Sequence, residues 1–436
     1  MRPFAQPALI LPAPQTDRPQ ERRTQFLLPV IFTCWFLSEA CLQSPGHPSL
    51  NIGPVDTIAV AKGLSRLCAL LVFVHMILQK HADRRVCTIL LRCTPLLVFG
   101  LWTLATCLWS PIKAISFGHA SEAVILGLLS VAAGIVCRGE RDLEYMLRNV
   151  VLMVSVLMVI MFIFNYDTIG TGQRPMNYMQ PNNLAATASI GLLTLLLSRF
   201  FWNWKWTRTL MLPCGLICGF MLLVAQSRSC LIVTALVAIP VVWSMYKRNL
   251  VIAFAAVAGV GAAALPYSQT VSRLPQAVTS YLMRGQTAAD AYTVSGRTEV
   301  WDIAIKSFVE EPLFGHGYYS MTNTGKMYVW GAERWQTAHN VYLHVLTGTG
   351  IIGLFLLLWA LVHVMRPMIG YLRAHGPERR VAIFVLLMAV WYLALGCFEL
   401  SFTGPVDPEV VLFFMILGIS AGFAANVRER LEARAA

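Results

Sequence analysis

The sequence predicts an all-helical protein that crosses a lipid bilayer about twelve times. Of its 436 residues, 57% are apolar and only 13% are charged, whereas soluble domains average about 45–50% and about 25%. The mean hydropathy of +0.61 agrees with this bias. Apolar runs of roughly 17–25 residues, long enough to cross the hydrocarbon core of a bilayer, recur along most of the chain. These observations exclude a soluble multidomain enzyme.

Twelve segments have the length and composition of a transmembrane helix. Each is bounded by charged residues, prolines or short polar stretches, which mark where the chain leaves the bilayer. In chain order, we predict helices near residues 26–42, 63–79, 86–108, 118–137, 145–166, 183–201, 207–225, 229–246, 249–266, 342–364, 381–399 and 409–426.

The basic residues predict the orientation of these helices. With the N-terminus inside, 22 of the 34 lysines and arginines fall in inner segments and nine fall in outer ones. Short cytoplasmic loops carry such an excess, so we expect both termini to be cytoplasmic. The formal net charge of +12 is then mostly a signal for orientation, and no nucleic-acid partner is indicated.

This orientation predicts five regions along the chain. The proline- and arginine-rich N-terminus lacks the apolar core and cleavage site of a signal peptide, so we interpret it as a cytoplasmic tail. The eleven cysteines show neither a disulfide framework nor the spacing of a zinc site. The regions are a cytoplasmic tail (1–25), transmembrane helices one to nine (26–266), a large periplasmic loop (267–338), helices ten to twelve (339–426) and a second tail (427–436).

The large outer loop contains a predicted amphipathic helix. Ser295 is suited to cap its start, and Pro312 ends it. Its apolar positions recur at intervals of three and four residues, as expected for a helix lying on the membrane or on other helices: Val300, Trp301, Ala304, Ile305 and Phe308. A second amphipathic piece is expected near residues 274–283, and Gly315-His316-Gly317-Tyr318 has the composition of a turn.

Four polar clusters fall near the outer ends of predicted spans, where ionisable side chains are costly unless they pair or face water. They are Arg174 with Gln180-Pro181-Asn182-Asn183, then Gln226-Ser227-Arg228-Ser229, then Ser295-Gly296-Arg297, and finally His339-Asn340-Val341-Tyr342-Leu343. Such positions are candidate functional residues by default.

Each cluster also has a structural explanation. Arg174 could extend to lipid headgroups, as arginines at helix ends commonly do. His339 could cap an interfacial helix, and His316 fits a turn residue better than a catalyst. Arg228 is harder to explain in this way, because positive charge is disfavoured on the outer side. Arg297 falls in the first turn of its predicted helix, where the helix dipole opposes a cation. An arginine there is explained if its guanidinium and the free backbone amides bind an anion together.

Arginines gathered beside a neutral imidazole suit a substrate with a phosphate leaving group and a hydroxyl nucleophile. We expected nearby cations to keep that imidazole unprotonated. The first outer segment offers only Asp56 and no paired acids for a divalent cation, so we predict a mechanism without a metal or other cofactor. Other outer carboxylates leave open a metal site that folding would assemble.

These motifs resemble the O-antigen ligase and O-antigen polymerase superfamily. The resemblance covers residues 174–364 and rests on the order of the motifs and on the large loop before the tenth span. The matching residues are Arg174 with Pro181-Asn182, Ser227-Arg228-Ser229, Ser295-Gly296-Arg297 with Trp301, Phe314-Gly315-His316-Gly317, and His339-Asn340 with Tyr342-Leu343, Gly348 and Gly350. Asn183 directly follows Asn182, which leaves the functional asparagine ambiguous.

The resemblance implies a membrane glycosyltransferase (GT-C-like) fold in the bacterial inner membrane, with an active site that faces the periplasm. It implies an undecaprenyl-diphosphate-linked O-antigen donor and, for a ligase, a lipid A–core acceptor. His339 would be catalytic, and Arg228, Arg297 and Arg174 would bind the donor diphosphate, with possible support from Asn182, Asn340 and His316. We favour a ligase; an O-antigen polymerase and a non-enzymatic transporter of lipid-linked glycans are the alternatives.

Overall fold

The computed structural model describes residues 57–80, 82–170, 175, 179–245, 297–320, 338–403 and 406–435. Every regular element in these ranges is a helix. In chain order they are α1 (Thr57–Gln79), α2 (Arg84–Thr106), α3 (Lys113–Val136), α4 (Glu140–Phe164), α5 (Tyr166–Gly170), α6 (Pro181–Phe201), α7 (Lys205–Val224), α8 (Arg228–Met245), α9 (Arg297–Glu310), α10 (Val341–Tyr371), α11 (Pro377–Leu395) and α12 (Pro408–Ala435).

The helices coincide with all but two of the predicted spans. The segments 26–42 and 249–266, and the amphipathic piece at 274–283, lie outside the described residues. Within the described part, eight helices are long and apolar enough to cross a membrane. The apolar part of α1 is shorter, and α11 carries three charged residues in its first turn. The predicted all-helical polytopic fold is confirmed.

The core forms around α12, which is buried along most of its length and packs extensively against α3. Gly418 and Gly422 lie one turn apart on α12, and neither has room for a Cβ against the backbone of Ser130 and Gly134 on α3. Small residues at this spacing allow two helix backbones to approach closely in a membrane, where packing contributes much of the association energy.

Several helices expose large apolar side chains on their outward faces. Leu212 and Leu216 on α7 are 69% and 64% exposed, and Leu236 and Ile239 on α8 are 68% and 64% exposed. Contiguous exposure of this size would be unfavourable in water. These faces therefore fit contact with lipid tails.

A glycine-dependent kink in α10 holds the turn that follows α9. Gly350 has φ +69°, and a Cβ there would clash with the backbone of Leu313. Around the kink, the amides of His316 and Gly317 donate to the carbonyls of Thr347 and Gly348 at 3.0 and 2.9 Å. The predicted turn at residues 315–318 is present, and its backbone fixes the end of α9 to α10.

Several helix ends differ from the predicted spans; α10, for example, continues to Tyr371 instead of ending at 364. We predicted the eleventh span to continue to Glu399, but α11 ends at Leu395. There the chain tightens into i→i+3 bonds, with the amide of Phe398 donating to Leu395 at 2.8 Å. Glu399 therefore lies in the connection to α12. The last helix continues past the predicted end at 426, where an i,i+4 ion pair between Arg428 and Glu432 (2.7 Å) supports it.

Candidate functional site

Three side chains from distant parts of the sequence meet at one end of the helix bundle. The Arg297 guanidinium donates to Glu399 Oε1 at 2.6 Å, and its second terminal nitrogen donates to the carbonyl of Phe398. The other carboxylate oxygen of Glu399 lies 3.0 Å from Nδ1 of His339. One carboxylate therefore joins the arginine to the histidine.

Local hydrogen bonds fix the backbone around this cluster. Trp301, in the first turns of α9, donates its indole N–H to the carbonyl of Ala338 at 2.7 Å. The amide of Val341 donates to Gly396 at 2.8 Å. Between them, Asn340 caps α10 by accepting from the Leu343 amide at 3.0 Å. These bonds tie the start of α10 to both α9 and the end of α11.

His339 itself has an unusual backbone conformation. Its φ is +45°, a left-handed value that few non-glycine residues adopt. Such conformations persist where the surroundings impose them, and they concentrate at functional sites. The side chain remains 32% exposed, so one face of the imidazole is open to a substrate.

The carboxylate fixes which ring nitrogen of His339 carries hydrogen. Because a carboxylate accepts hydrogen bonds, Nδ1 is the donor toward Glu399. In the neutral imidazole, Nε2 then carries the lone pair. No hydrogen bond of Nε2 occurs among the described residues. The ring is therefore oriented to accept a proton at Nε2.

Glu399 is charged although it is only 7% exposed. Burial alone would raise the pKa of this carboxyl, but the His339 hydrogen bond and the Arg297 charge hold its pKa below the ordinary value of 4.5. A carboxyl with a lowered pKa stabilises the folded state above its unfolded-state pKa, and this contribution is lost as the pH falls below that range. The cluster is therefore intact at neutral pH.

Arg228 is the first residue of α8. The Cys230 thiol, two residues further along α8, donates to the carbonyl of Asn182 on α6 at 3.7 Å. The same thiol lies within electrostatic range of Arg297 and Glu399. The first turns of α6 and α8 thus border the cluster.

Other predicted residues have different surroundings. Asn183 donates to the Asp407 carboxylate at 2.6 Å, while the backbone of its neighbour Asn182 accepts from Cys230. Nε2 of His316 donates to the carbonyl of Ser307 at 2.8 Å, which joins the turn at 315–318 to α9. Arg174, and Ser295 and Gly296 before α9, lie outside the described residues.

The sequence analysis missed the role of Glu399. We counted it only as one of several outer carboxylates, and we did not predict that a carboxylate would be the immediate neighbour of the imidazole. An ionisable residue at the end of an apolar span is a functional candidate in its own right, and this signal could have identified it. Its partners could not be predicted, since they lie 60 and 102 residues away.

The arrangement combines an imidazole, a charged carboxylate that orients it and the guanidinium of Arg297. A carboxylate behind the imidazole stabilises the imidazolium that forms when Nε2 takes a proton. Arginines and the starts of α6, α8 and α10 favour a bound anion. Among the described residues, no group of three or more His, Cys, Asp and Glu side chains could hold a metal ion. The site can therefore deprotonate a hydroxyl beside an anionic substrate.

Two comparisons relate the chain to known proteins. Residues 213–358 match the family model described as O-antigen ligase, a range that includes Arg228, Arg297 and His339. The exopolysaccharide production protein ExoQ of Rhizobium meliloti (strain 1021) is 25% identical over 287 residues, which cover 61% of this chain and 62% of the relative. This chain thus matches somewhat less than two thirds of the relative's length. The match and the relative confirm the resemblance of the motifs to the O-antigen ligase and O-antigen polymerase superfamily.

Proposed function

We propose that the protein is an O-antigen ligase, which transfers a glycan from an undecaprenyl-diphosphate carrier to a lipid A–core acceptor. The reaction takes place at the periplasmic face of the bacterial inner membrane, with both termini in the cytoplasm. The observation that carries this proposal is the contact of His339 with Glu399 and of Glu399 with Arg297. The family match supports the class of reaction.

In this mechanism His339 is the general base. Nε2 takes the proton of an acceptor hydroxyl while that oxygen bonds to the anomeric carbon of the donor. The bond between this carbon and the phosphate oxygen breaks, and its electron pair leaves with the diphosphate. Direct displacement inverts the configuration of the anomeric carbon. Glu399 keeps Nδ1–H in place and balances the imidazolium charge.

The arginines bind the donor. Arg228 and Arg297 neutralise the charge that grows on the departing diphosphate, and Arg174 contributes from the segment before α6. Two terminal nitrogens of Arg297 donate to protein acceptors. A guanidinium has five N–H donors in all, so Arg297 retains N–H groups for a phosphate oxygen while it holds Glu399.

A glycan polymerase is the second candidate. The printed name of ExoQ refers to exopolysaccharide production, and a polymerase would use the same kind of donor and the same chemistry, with a second lipid-linked glycan as acceptor. A transporter of lipid-linked glycans is less well supported, because transporters typically bind substrate near the middle of the membrane. Here the polar cluster lies at helix ends.

A deletion of the gene separates ligase from polymerase. For a ligase, we expect free lipid A–core together with long polymer still attached to the lipid carrier. A single repeat unit attached to the core would instead indicate a polymerase. Complementation with the wild-type gene, compared with the His339→Ala variant, ties either phenotype to the catalytic cluster.

Glu399 is a positioning residue, and its replacement tests this role. We expect Glu399→Gln to lower kcat about 10- to 100-fold, the loss typical of one hydrogen bond to a charged group. The acid limb of the pH–rate profile should also move to lower pH, because the protonated imidazole loses its counter-charge. Both effects are measured in a transfer assay over a range of pH.

A matched control for this variant is Glu378→Gln, at the opposite end of α11. It removes a carboxylate from the first turn of α11 without touching His339. An unchanged pH profile in Glu399→Gln, or the same change in Glu378→Gln, would contradict the positioning role.

A further inference from the structure

A cavity of about 580 Å³ lies at the far end of α9 from the His339 cluster. Its volume falls in the range of about 300–1,000 Å³ that is usual for small-molecule sites. It is lined by the loop after α2, the end of α9 and the turn that follows: Trp109, Pro111, Glu310, Glu311, Phe314, Gly315 and His316. Of the site residues predicted from the sequence, His316 lines this cavity, whereas His339, Arg228 and Arg297 do not.

The cavity presents aromatic faces that are held in fixed positions. The Trp109 indole donates to the carbonyl of Gly315 at 2.9 Å, and the Trp102 indole donates to Thr349 at 3.1 Å. These two rings and Phe314 form a cluster with centroids about 6 Å apart. Trp109 and Phe314 are nevertheless 40% and 48% exposed, so each offers a ring face to a ligand.

The same cavity offers two carboxylates. Glu310 and Glu311 are exposed, and neither forms an ion pair in the described part of the chain. Aromatic faces attract C–H groups that carry partial positive charge, whereas carboxylates accept hydrogen bonds from hydroxyls. A sugar ring presents both kinds of group, on its face and on its edge respectively.

The position of the cavity fits a substrate that is longer than one sugar. The 14 residues of α9 separate the two sites by about 20 Å, at 1.5 Å per residue. Arg297 begins this helix beside Glu399, and Glu310 ends it in the cavity wall. A glycan that reacts at His339 can therefore extend along α9 to the cavity.

We propose that this cavity binds a sugar ring of the substrate glycan, several units away from the reacting bond. This inference rests on the proposed glycan transfer. The ring comes from the polymer of the donor or from the oligosaccharide of the acceptor. In both cases Trp109 and Phe314 pack against the ring face, and Glu310 and Glu311 accept hydrogen bonds from its hydroxyls.

The test measures KM and kcat for Trp109→Ala and for the double variant Glu310→Gln/Glu311→Gln. One arm varies the glycan length of the donor, and the other varies the length of the acceptor oligosaccharide. In one arm we expect KM for long substrates to rise about 3- to 10-fold, the effect of losing one aromatic contact. KM for the shortest substrates, and kcat for all substrates, should be unchanged. The series in which KM rises shows whether the bound ring belongs to the donor or to the acceptor.

Trp243→Ala is the matched control, because Trp243 is 53% exposed on α8 and lies outside the cavity. Effects that do not depend on glycan length, or that Trp243→Ala reproduces, would overturn the proposal in favour of a general membrane contact. Equilibrium binding of the free oligosaccharide, released from the donor by mild acid, is measured in parallel. If the wild-type protein binds the oligosaccharide and Trp109→Ala binds it more weakly, the subsite is supported even if no glycan transfer is detected. Equal binding by both proteins overturns the subsite.

Discussion

Replacing His339 by alanine is expected to lower the rate of glycan transfer about 10²- to 10⁴-fold, the usual contribution of a general base. The loss should appear in kcat, because the imidazole acts on the proton that moves in the transition state. The structure supports this expectation through the Glu399 hydrogen bond, which places the hydrogen on Nδ1 of His339 and the lone pair on Nε2. Initial rates with purified, reconstituted protein measure the effect.

His363→Ala provides the control for this variant. His363 lies on α10, far along the helix from the cluster, with its ring centroid 6.1 Å from that of Trp359. It should retain wild-type activity. Near-normal turnover in a folded His339→Ala protein would remove this residue from the catalytic role, and the mechanism would then need another base.

Replacing Arg85 by alanine should cause the largest loss of stability, about 3–5 kcal/mol. Arg85 is only 4% exposed. Its guanidinium donates to the carbonyls of Gly134, Ile135 and Cys137 at 2.8–2.9 Å and to the side chain of Asn426. Since these acceptors lie at the end of α3 and within α12, one side chain of α2 joins three helices.

The adjacent Arg84 is the control for Arg85, because it is exposed. Arg84→Ala should change stability by no more than about 0.5 kcal/mol. Arg85→Lys should also be destabilising, because one ammonium cannot reproduce the planar fork of a guanidinium. Thermal unfolding in detergent measures all three variants. Equal melting temperatures for Arg84→Ala and Arg85→Ala would contradict this assignment.

The Arg85 network also shows what hydropathy cannot predict. We counted Arg85 only as a positive charge of an inner loop, but the structure buries it against backbone carbonyls 49–52 residues away. Hydropathy depends on the local composition of a span, which is why the helices were predictable. Contacts between spans depend on which helix faces meet, and one sequence without further information does not determine them.

The residues of the candidate site were likewise only partly predictable from the sequence. His339 and Arg297 stood out because charged or polar groups at the ends of apolar spans are costly, and Asn340 stood out because it precedes a span. Glu399 was overlooked because the predicted span included it, whereas α11 ends at Leu395. Because α11 ends four residues earlier than predicted, Glu399 lies in the connection beside His339 and not within a span.

The family motif at residues 314–317 has a structural role that sequence reasoning only partly identified. The turn was predicted, but its partner, the kink at Gly350, was not. Gly315 and Gly317 have φ values of +66° and +105°, which glycine adopts without strain. This close backbone contact holds α9 against α10, and α9 carries Arg297 at one end and the aromatic cavity at the other.

The most direct test of the proposed mechanism is transfer by the purified protein in proteoliposomes that contain the lipid-diphosphate-linked donor and the lipid A–core acceptor. The assay is run without an energy source and after exhaustive chelation of divalent cations. We predict full activity and a product of inverted anomeric configuration. Loss of activity that magnesium or manganese restores, or a product of retained configuration, would contradict base catalysis by His339 with arginines as the phosphate ligands.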